Sequence, residues 1–325
     1  MGKFSTRTRT DSPLESVQPT LNNQPRKILI TGSTGFIGSQ LIPFLTAGGH
    51  TVIPMFRSNG KDDKEDAIYW DPAEGTIDSS KLEGMDVVIH LSGASIANGR
   101  WSEERKGIIS RSRVDSTVLL SHALSKLRKP PEVLVSASAT GYYGDTGKKI
   151  ITERSAPGSG FLPTVSQEWE RSTKPASNAG IRVVNLRTGL VLSPLGGFLK
   201  QILPLFRLGL GGKLGSGKQY MSWISMDDLL HVVLFAITNK LVKGPINVTS
   251  PKPVTNEKFT KTLGHVLSRP TLFSVPASAI RLLFGEMGKD LVLGGCRVIP
   301  EKILTLGFRF SHPTLEKALK HVLGK

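Results

Sequence analysis

Cysteine is almost missing. A single residue, Cys296, stands in a chain of 325. One thiol cannot close an internal disulfide, which fits a reducing compartment. Long apolar runs are missing as well. The longest, LLHVVLFAI from Leu229 to Ile237, is too short to span a bilayer and carries His231 within it, so no membrane insertion is expected. The start of the chain lacks the apolar core of a secretory signal, and there is no internal repeat. Acidic residues are outnumbered, 26 Asp and Glu against 42 Lys and Arg, for a formal charge of +16. The basic excess is scattered, with no stripe of cations interleaved with aromatics. That argues against nucleic acid as a partner and leaves a nucleotide phosphate, a lineage-wide compositional bias or an anionic surface to account for the sign. The histidines at 50, 90, 122, 231, 265, 312 and 321 show no metal-ligand spacing, so no metal is expected.

What is present has a clear rhythm. Residues 1–25 are rich in Ser, Thr and Pro without apolar periodicity and read as a flexible arm. The reading for the whole chain is cytoplasmic, with plastid or mitochondrion as the alternative if the arm belongs to a targeting segment. From Lys27 strands alternate with helices. KILIT, HTVIPMFR, MDVVIHLSG, EVLVSASA and IRVVNLRTGLVL have the composition of buried strands, while FIGSQLIPFLTAGG and RVDSTVLLSHALSKL have helical periodicity. This alternation predicts an α/β fold, a Rossmann-type doubly wound parallel sheet covered on both faces. Past Pro194 glycine and proline cluster and the rhythm changes. The expected division is a dinucleotide-binding domain over 26–245, with part of 195–226 contributing to a second lobe, and a smaller C-terminal substrate lobe over 246–325.

Gly32, Gly35 and Gly38 lie where the first strand turns into the first helix. Glycines at this spacing permit the tight turn, let the backbone approach a pyrophosphate and allow close packing of the helix, whose N-terminus then faces the phosphates. In an NAD site an acid about 20 residues on holds the ribose. Here Arg57 occupies that place, followed by Ser58. A guanidinium there suits a 2′-phosphate, so NADP is favoured over NAD.

The segments TGSTGFIG, VVIHLSGASI, SASATGYYGD, NLRTGLVLSPLGG and SWISMDDLL resemble the extended short-chain dehydrogenase/reductase proteins. NGRWSEERK, SRSRV, FLPTVSQEWE and FRLGLGGKLGSGKQYMSWI narrow the resemblance to the atypical branch of SDR39U1-type or YfcH-type epimerase family proteins, with a DUF1731-like C-terminal region. The resemblance runs from Lys27 to Lys325. It implies that Gly32, Ser33, Thr34, Gly35, Phe36, Ile37 and Gly38 hold the pyrophosphate. Arg57 would face the adenosine ribose and Asp71 the adenine, although Asp71 before Pro72 also suits a turn. Leu91, Ser92, Gly93 and Ala94 would line the middle of the cofactor. Ser136 would border the nicotinamide, and Pro194 the carboxamide.

Active relatives in the wider superfamily use a Ser or Thr with a Tyr and a Lys four residues apart on one helix, the lysine lowering the phenol pKa. The corresponding helix here, GFLPTVSQEWERS, has neither; the positions fall near Leu162 and Ser166. Ser138 remains, as a substrate hydrogen-bonding group or a strand-end cap. Tyr142 is the candidate replacement phenol, with Arg113 as the charge beside it. Tyr143 is expected to pack. Asp227 and Asp228 read as caps of a helix after Ser225. The expected function is an NADP(H)-binding oxidoreductase or epimerase-like protein acting on a small carbonyl or hydroxyl compound. The alternative is a cofactor-binding regulator or scaffold without turnover.

Overall fold

The computed structural model describes residues 24–57, 67–97 and 99–325. The expected arm, apart from its last two residues, and Ser58 lie outside these. KILIT forms β1 (Lys27–Thr31), buried from its second residue onward. Its two faces feed different cores. Ile28 and Ile30 join Leu41 and Leu45 of α1 (Gly38–Ala47), while Leu29 joins the opposite layer with Leu120 and Leu124. A strand buried on both faces must be apolar throughout, and that explains its continuous run.

The strands β2 (Thr51–Arg57), β3 (Ile68–Asp71), β4 (Thr76–Ile77), β5 (Val87–His90) and β6 (Val133–Ala139) follow in chain order. After the short β7 (Ile150–Ile151) come β8 (Arg182–Thr188), β9 (Leu190–Leu192), β10 (Gly212–Leu214), β11 (Tyr220–Met221), β12 (Trp223–Ser225) and β13 (Gly244–Val248). Eight of these make one sheet in the order β13-β8-β6-β5-β1-β2-β3-β4. All neighbours are parallel except β4 on β3. The order reverses between β1 and β5, and a doubly wound sheet binds its ligand at the carboxyl ends of the strands flanking that reversal.

The helix expected to begin at Arg113 begins ten residues earlier, as α2 (Glu103–Ser125). Ser102 caps it by accepting from the Arg105 amide, and Glu103 and Glu104 lie in its first turn, where carboxylates complement the helix dipole. IRVVNLRTGLVL is not one strand but two. A Cβ on Gly189 would stand 2.2 Å from the Ser222 carbonyl oxygen. The chain breaks there, and β9 pairs with β12 outside the main sheet.

The remaining helices are α3 (Phe161–Arg171), α4 (Lys174–Asn178), α5 (Gly197–Arg207), α6 (Met226–Thr238), α7 (Asn256–Leu267), α8 (Ala277–Met287), α9 (Glu301–Thr305) and α10 (Leu315–Val322). Around α5, α7 and α10 a second core forms from Leu199, Phe206, Trp223, Phe259, Leu263 and Leu319. Its short strand pairs join β11 to β14 (Val254–Thr255), β10 to β15 (Phe273–Val275) and β7 to β16 (Arg297–Val298). Ile303 and Phe308 return to the main core, under β13.

Candidate cofactor cleft and the polar cluster beside it

A cleft of about 620 Å³ opens at the carboxyl ends of β1, β2, β3 and β5. One wall is the glycine loop. Gly32 has φ +68°, and a Cβ there would stand 2.8 Å from the Leu91 carbonyl carbon. Gly38 is closed in by the loop itself, with a Cβ 2.3 Å from the Gly32 carbonyl oxygen. Both glycines are required by protein backbone. Gly35 is different. It is exposed in the cleft, and its Cβ would meet only the Gly32 oxygen, at 3.1 Å. The space above Gly35 is therefore a cradle that a larger side chain would fill, and it lies just before the N-terminus of α1, the end of a helix dipole that favours an anion.

Of the residues expected to hold a dinucleotide, Gly32, Ser33, Thr34, Gly35, Arg57, Asp71, Leu91, Ser92, Gly93 and Ala94 line this cleft. Arg57 is exposed at the end of β2. Asp71 Oδ1 accepts from the amides of Ala73 at 2.8 Å and Glu74 at 3.3 Å, so it does form the turn before and after Pro72. Phe36, Ile37, Gly38, Ser136 and Pro194 lie outside the lining. The Phe36 ring is so close under Gly196 that a Cβ there would stand 2.2 Å from it. Ile37 precedes α1 and packs on the main core. Ser136 is fully buried in the middle of β6, and Pro194 follows Ser193, whose hydroxyl accepts from the Leu195 amide.

Sequence reasoning missed the opposite wall. Ile108, Arg111, Ser112, Asp115 and Ser116 line it from α2. Their spacing is that of one helix face, a signal lost by starting the helix at Arg113. Below the cleft His90 is fully buried. Thr117 Oγ1 donates to the Arg113 carbonyl, so it accepts from His90 Nε2–H at 2.9 Å, while Thr31 Oγ1 donates to His90 Nδ1 at 2.7 Å. Burial lowers the His90 pKa to about 4. A neutral imidazole thus ties β1, β5 and α2 together.

Beside the cleft, at the ends of β6, β8 and β13, lies a closed polar cluster. Arg187 of β8 donates from Nε and Nη2 to the two carboxylate oxygens of Glu170, at 2.7 and 2.8 Å. Ser138 Oγ donates to Glu170 Oε1 at 2.8 Å. Arg187 Nη1 donates to the Tyr143 hydroxyl at 2.9 Å, and that hydroxyl donates to Asn247 Oδ1 at 2.7 Å. Burial pushes the Tyr143 phenol up to about 12 despite the adjacent Arg187. For Arg187 burial acts downward, but the Glu170 hydrogen bond and charge outweigh it and raise the pKa.

Tyr142 and Arg113 are not brought together as expected. The cation on Tyr142 is Arg187, whose guanidinium carbon lies 3.5 Å from the ring centroid. Arg113 donates to the carbonyls of Ala94 and Ile109, both at 3.0 Å, and sits over the Trp169 ring at 5.0 Å. Burial, with Arg105 nearby, lowers its pKa to about 10. Arg113 is thus a brace between α2, α3 and the loop after β5. Leu162 and Ser166 of α3 do face the loop carrying Tyr142, both lying beside Gly141.

The geometry agrees with what comparison with known proteins shows. The NAD dependent epimerase/dehydratase family matches residues 28–249, and a domain of unknown function, DUF1731, matches residues 275–322. The chain is 42% identical over 292 residues to Epimerase family protein Mb2239 of Mycobacterium bovis, covering 90% of this chain and 96% of that one. It is 38% identical over 304 residues to the Arabidopsis thaliana Epimerase family protein SDR39U1 homolog, chloroplastic, covering 91% and 86%. Among solved structures, human epimerase family protein SDR39U1 (isoform 2) with NADPH superimposes with a TM-score of 0.83 at 31% identity, over 92% of this chain and 99% of that one. No helix among the described residues is long and apolar enough to cross a membrane.

Proposed function

The chain belongs to the NAD dependent epimerase/dehydratase family, and from the cleft we propose that it is an NADP(H)-binding oxidoreductase or epimerase-like protein acting on a small carbonyl or hydroxyl compound. The observation that carries this reading is Gly35. It is the glycine of the loop that packing alone explains least, and it opens onto the cleft. In this reading the loop from Gly32 to Gly38 and the N-terminus of α1 hold the pyrophosphate. Arg57 takes the 2′-phosphate, and Asp71 faces the adenine with the carboxylate edge its turn leaves over. The solved relative with NADPH supports the same choice of cofactor. When bound, NADPH supplies a hydride.

For the proton, Tyr142 is the phenol this chain offers. Its ring face rests on the Arg187 cation, which holds the ring in place. Ser138 is then a positioning residue for Glu170, since its hydroxyl proton is directed there. The occupation of the Tyr and Lys positions by Leu162 and Ser166 favours a second reading, a cofactor-binding regulator without turnover. Calorimetry on the full chain with NADPH and NADH tests the common premise. Tighter binding of NADPH is expected; equal affinities would sink the role given to Arg57. A carbonyl panel followed by NADPH absorbance separates the two readings. In a reductase found this way, Tyr142→Phe is expected to slow the chemical step by about 10²–10⁴-fold with NADPH affinity retained.

A further inference from the structure

Two histidines that are nine residues apart in sequence meet a carboxylate from far upstream. His312 lies in the link before α10, His321 in the last turn of α10, and Asp227 in the first turn of α6. One ligand atom from each lies within 4.8 Å of the other two. His321 Nε2 is 2.6 Å from Asp227 Oδ2, and the two imidazole rings stack with centroids 4.1 Å apart. His312 Nδ1 is shut off from solvent and has no hydrogen-bond partner among the described residues. The nearest carboxylate to it, Asp228 Oδ2, is 3.9 Å away, beyond hydrogen-bond range. An orphaned buried nitrogen is an anomaly in a folded protein, and an undescribed ligand is one of its few ordinary explanations.

We propose that Asp227, His312 and His321 form a binding site for a divalent transition metal of the zinc type, with water completing the coordination. Two imidazoles and a carboxylate are a donor set that suits zinc, and three protein ligands leave one position open. Tetrahedral bonds of about 2.0–2.1 Å separate ligand atoms by roughly 3.3 Å. The Asp227–His321 contact must therefore open a little and the widest edge must close. His321 has the freedom for both, and to turn out of its stack on His312 so that both nitrogens point at one ion, being half exposed in the final turn of an eight-residue helix. The positive end of α6 opposes a cation, while Asp228, buried beneath His312, adds a second negative charge. Lys320, next along α10, is neutralised by Glu316 at 2.8 Å. His231 Nδ1 is held by the Asp227 carbonyl at 2.8 Å and stays outside the set.

Such an ion would staple α10, whose Leu315 and Leu319 fill the second core, to the start of α6, whose Leu229 and Val233 fill the first. The site is independent of the cofactor cleft. The test uses the full chain stripped with EDTA and titrated with ZnCl₂ by calorimetry, and with CoCl₂ by visible absorption. Binding of about one ion per chain is expected, with the intense visible bands of four-coordinate cobalt. Zinc should raise the melting temperature by mass action. His312→Ala, His321→Ala and Asp227→Asn should each weaken zinc binding at least about tenfold, while His122→Ala, an exposed histidine on α2, leaves it unchanged. Absence of saturable binding to the unmutated chain overturns the proposal, and so does native zinc affinity in both histidine variants.

Discussion

The two regions at the carboxyl edge of the sheet are built in opposite ways. Around β1, β2 and β5 one wall is the backbone of the glycine loop, where Gly35 leaves an open cradle. At the ends of β6, β8 and β13, Ser138, Tyr143, Glu170, Arg187 and Asn247 face one another. Glu170 takes three donors, from Ser138 and Arg187, and the Tyr143 hydroxyl both accepts and donates. The first region is arranged to admit something, the second to hold itself together. Tyr142 belongs to the second region, its ring on the Arg187 guanidinium and packed against the buried cluster of Tyr143, Ile151, Cys296 and Val298.

The sharpest way to break the comparison is to open the closed region. Glu170→Ala leaves the Arg187 guanidinium, 4% exposed, without a carboxylate. A loss of about 3–5 kcal/mol in urea unfolding is expected, and a change below about 1 kcal/mol would mean the cluster is solvated after all. Next comes His90, which joins the cleft floor to α2. Its folded pKa of about 4 lies below the unfolded value of 6.5. The unfolded chain therefore takes up the proton first as pH falls. The contribution is complete above pH 6.5, declines through the window down to pH 4 and is flat below it, a loss of about 3 kcal/mol. Denaturation at several pH values, with His90→Gln alongside, should show this slope in the unmutated chain and a flatter one in the variant.

Smaller effects probe the open region. Gly35→Val should weaken NADPH binding at least about a hundredfold, or ~2.7 kcal/mol, because the branched side chain fills the cradle. The fold should survive, in contrast to Gly38→Ala, whose Cβ would strike the Gly32 oxygen at 2.3 Å. Normal NADPH affinity in a folded Gly35→Val protein would move the site elsewhere. Smallest is Arg57→Asp, expected to cost NADPH about 1–3 kcal/mol and NADH much less. A uniform loss for both cofactors would show that Arg57 does not read the 2′-phosphate.

The open region was the legible one. An apolar strand, three spaced glycines and an amphipathic helix are local patterns, and each survives in the structure because it is enforced by backbone geometry. The closed region could be read only in fragments. Arg187 stands out as a charge within the apolar run IRVVNLRTGLVL, yet its partner depends on how α3 packs against β8. The resemblance implies Arg113 as the charge beside Tyr142, whereas packing gives it Ala94, Ile109 and Trp169 instead. The break at Gly189 was invisible because the obstacle, the Ser222 carbonyl, is supplied by a distant strand. Histidine spacing likewise concealed the meeting of His312 and His321 with Asp227, since the chain between α6 and α10 folds away and returns.

Asp228 lies in the first turn of α6 and supports its cap, Ser225, whose hydroxyl accepts from the Asp228 amide and donates to its carboxylate. The same buried carboxylate also accepts from the amides of Ser311 and His312, which are 83 and 84 residues further along the chain. Contacts of such separation are slow to find because the intervening loop must close first. Until it does, α6 carries a carboxylate two donors short. This gives the folding reaction a direction in time: the main sheet with α6 can assemble early, and arrival of the 311–312 segment is a late step that locks the first turn. Refolding followed by pulse-labelled hydrogen exchange should accordingly protect the amides of Ser311 and His312 after those of β1 and β5.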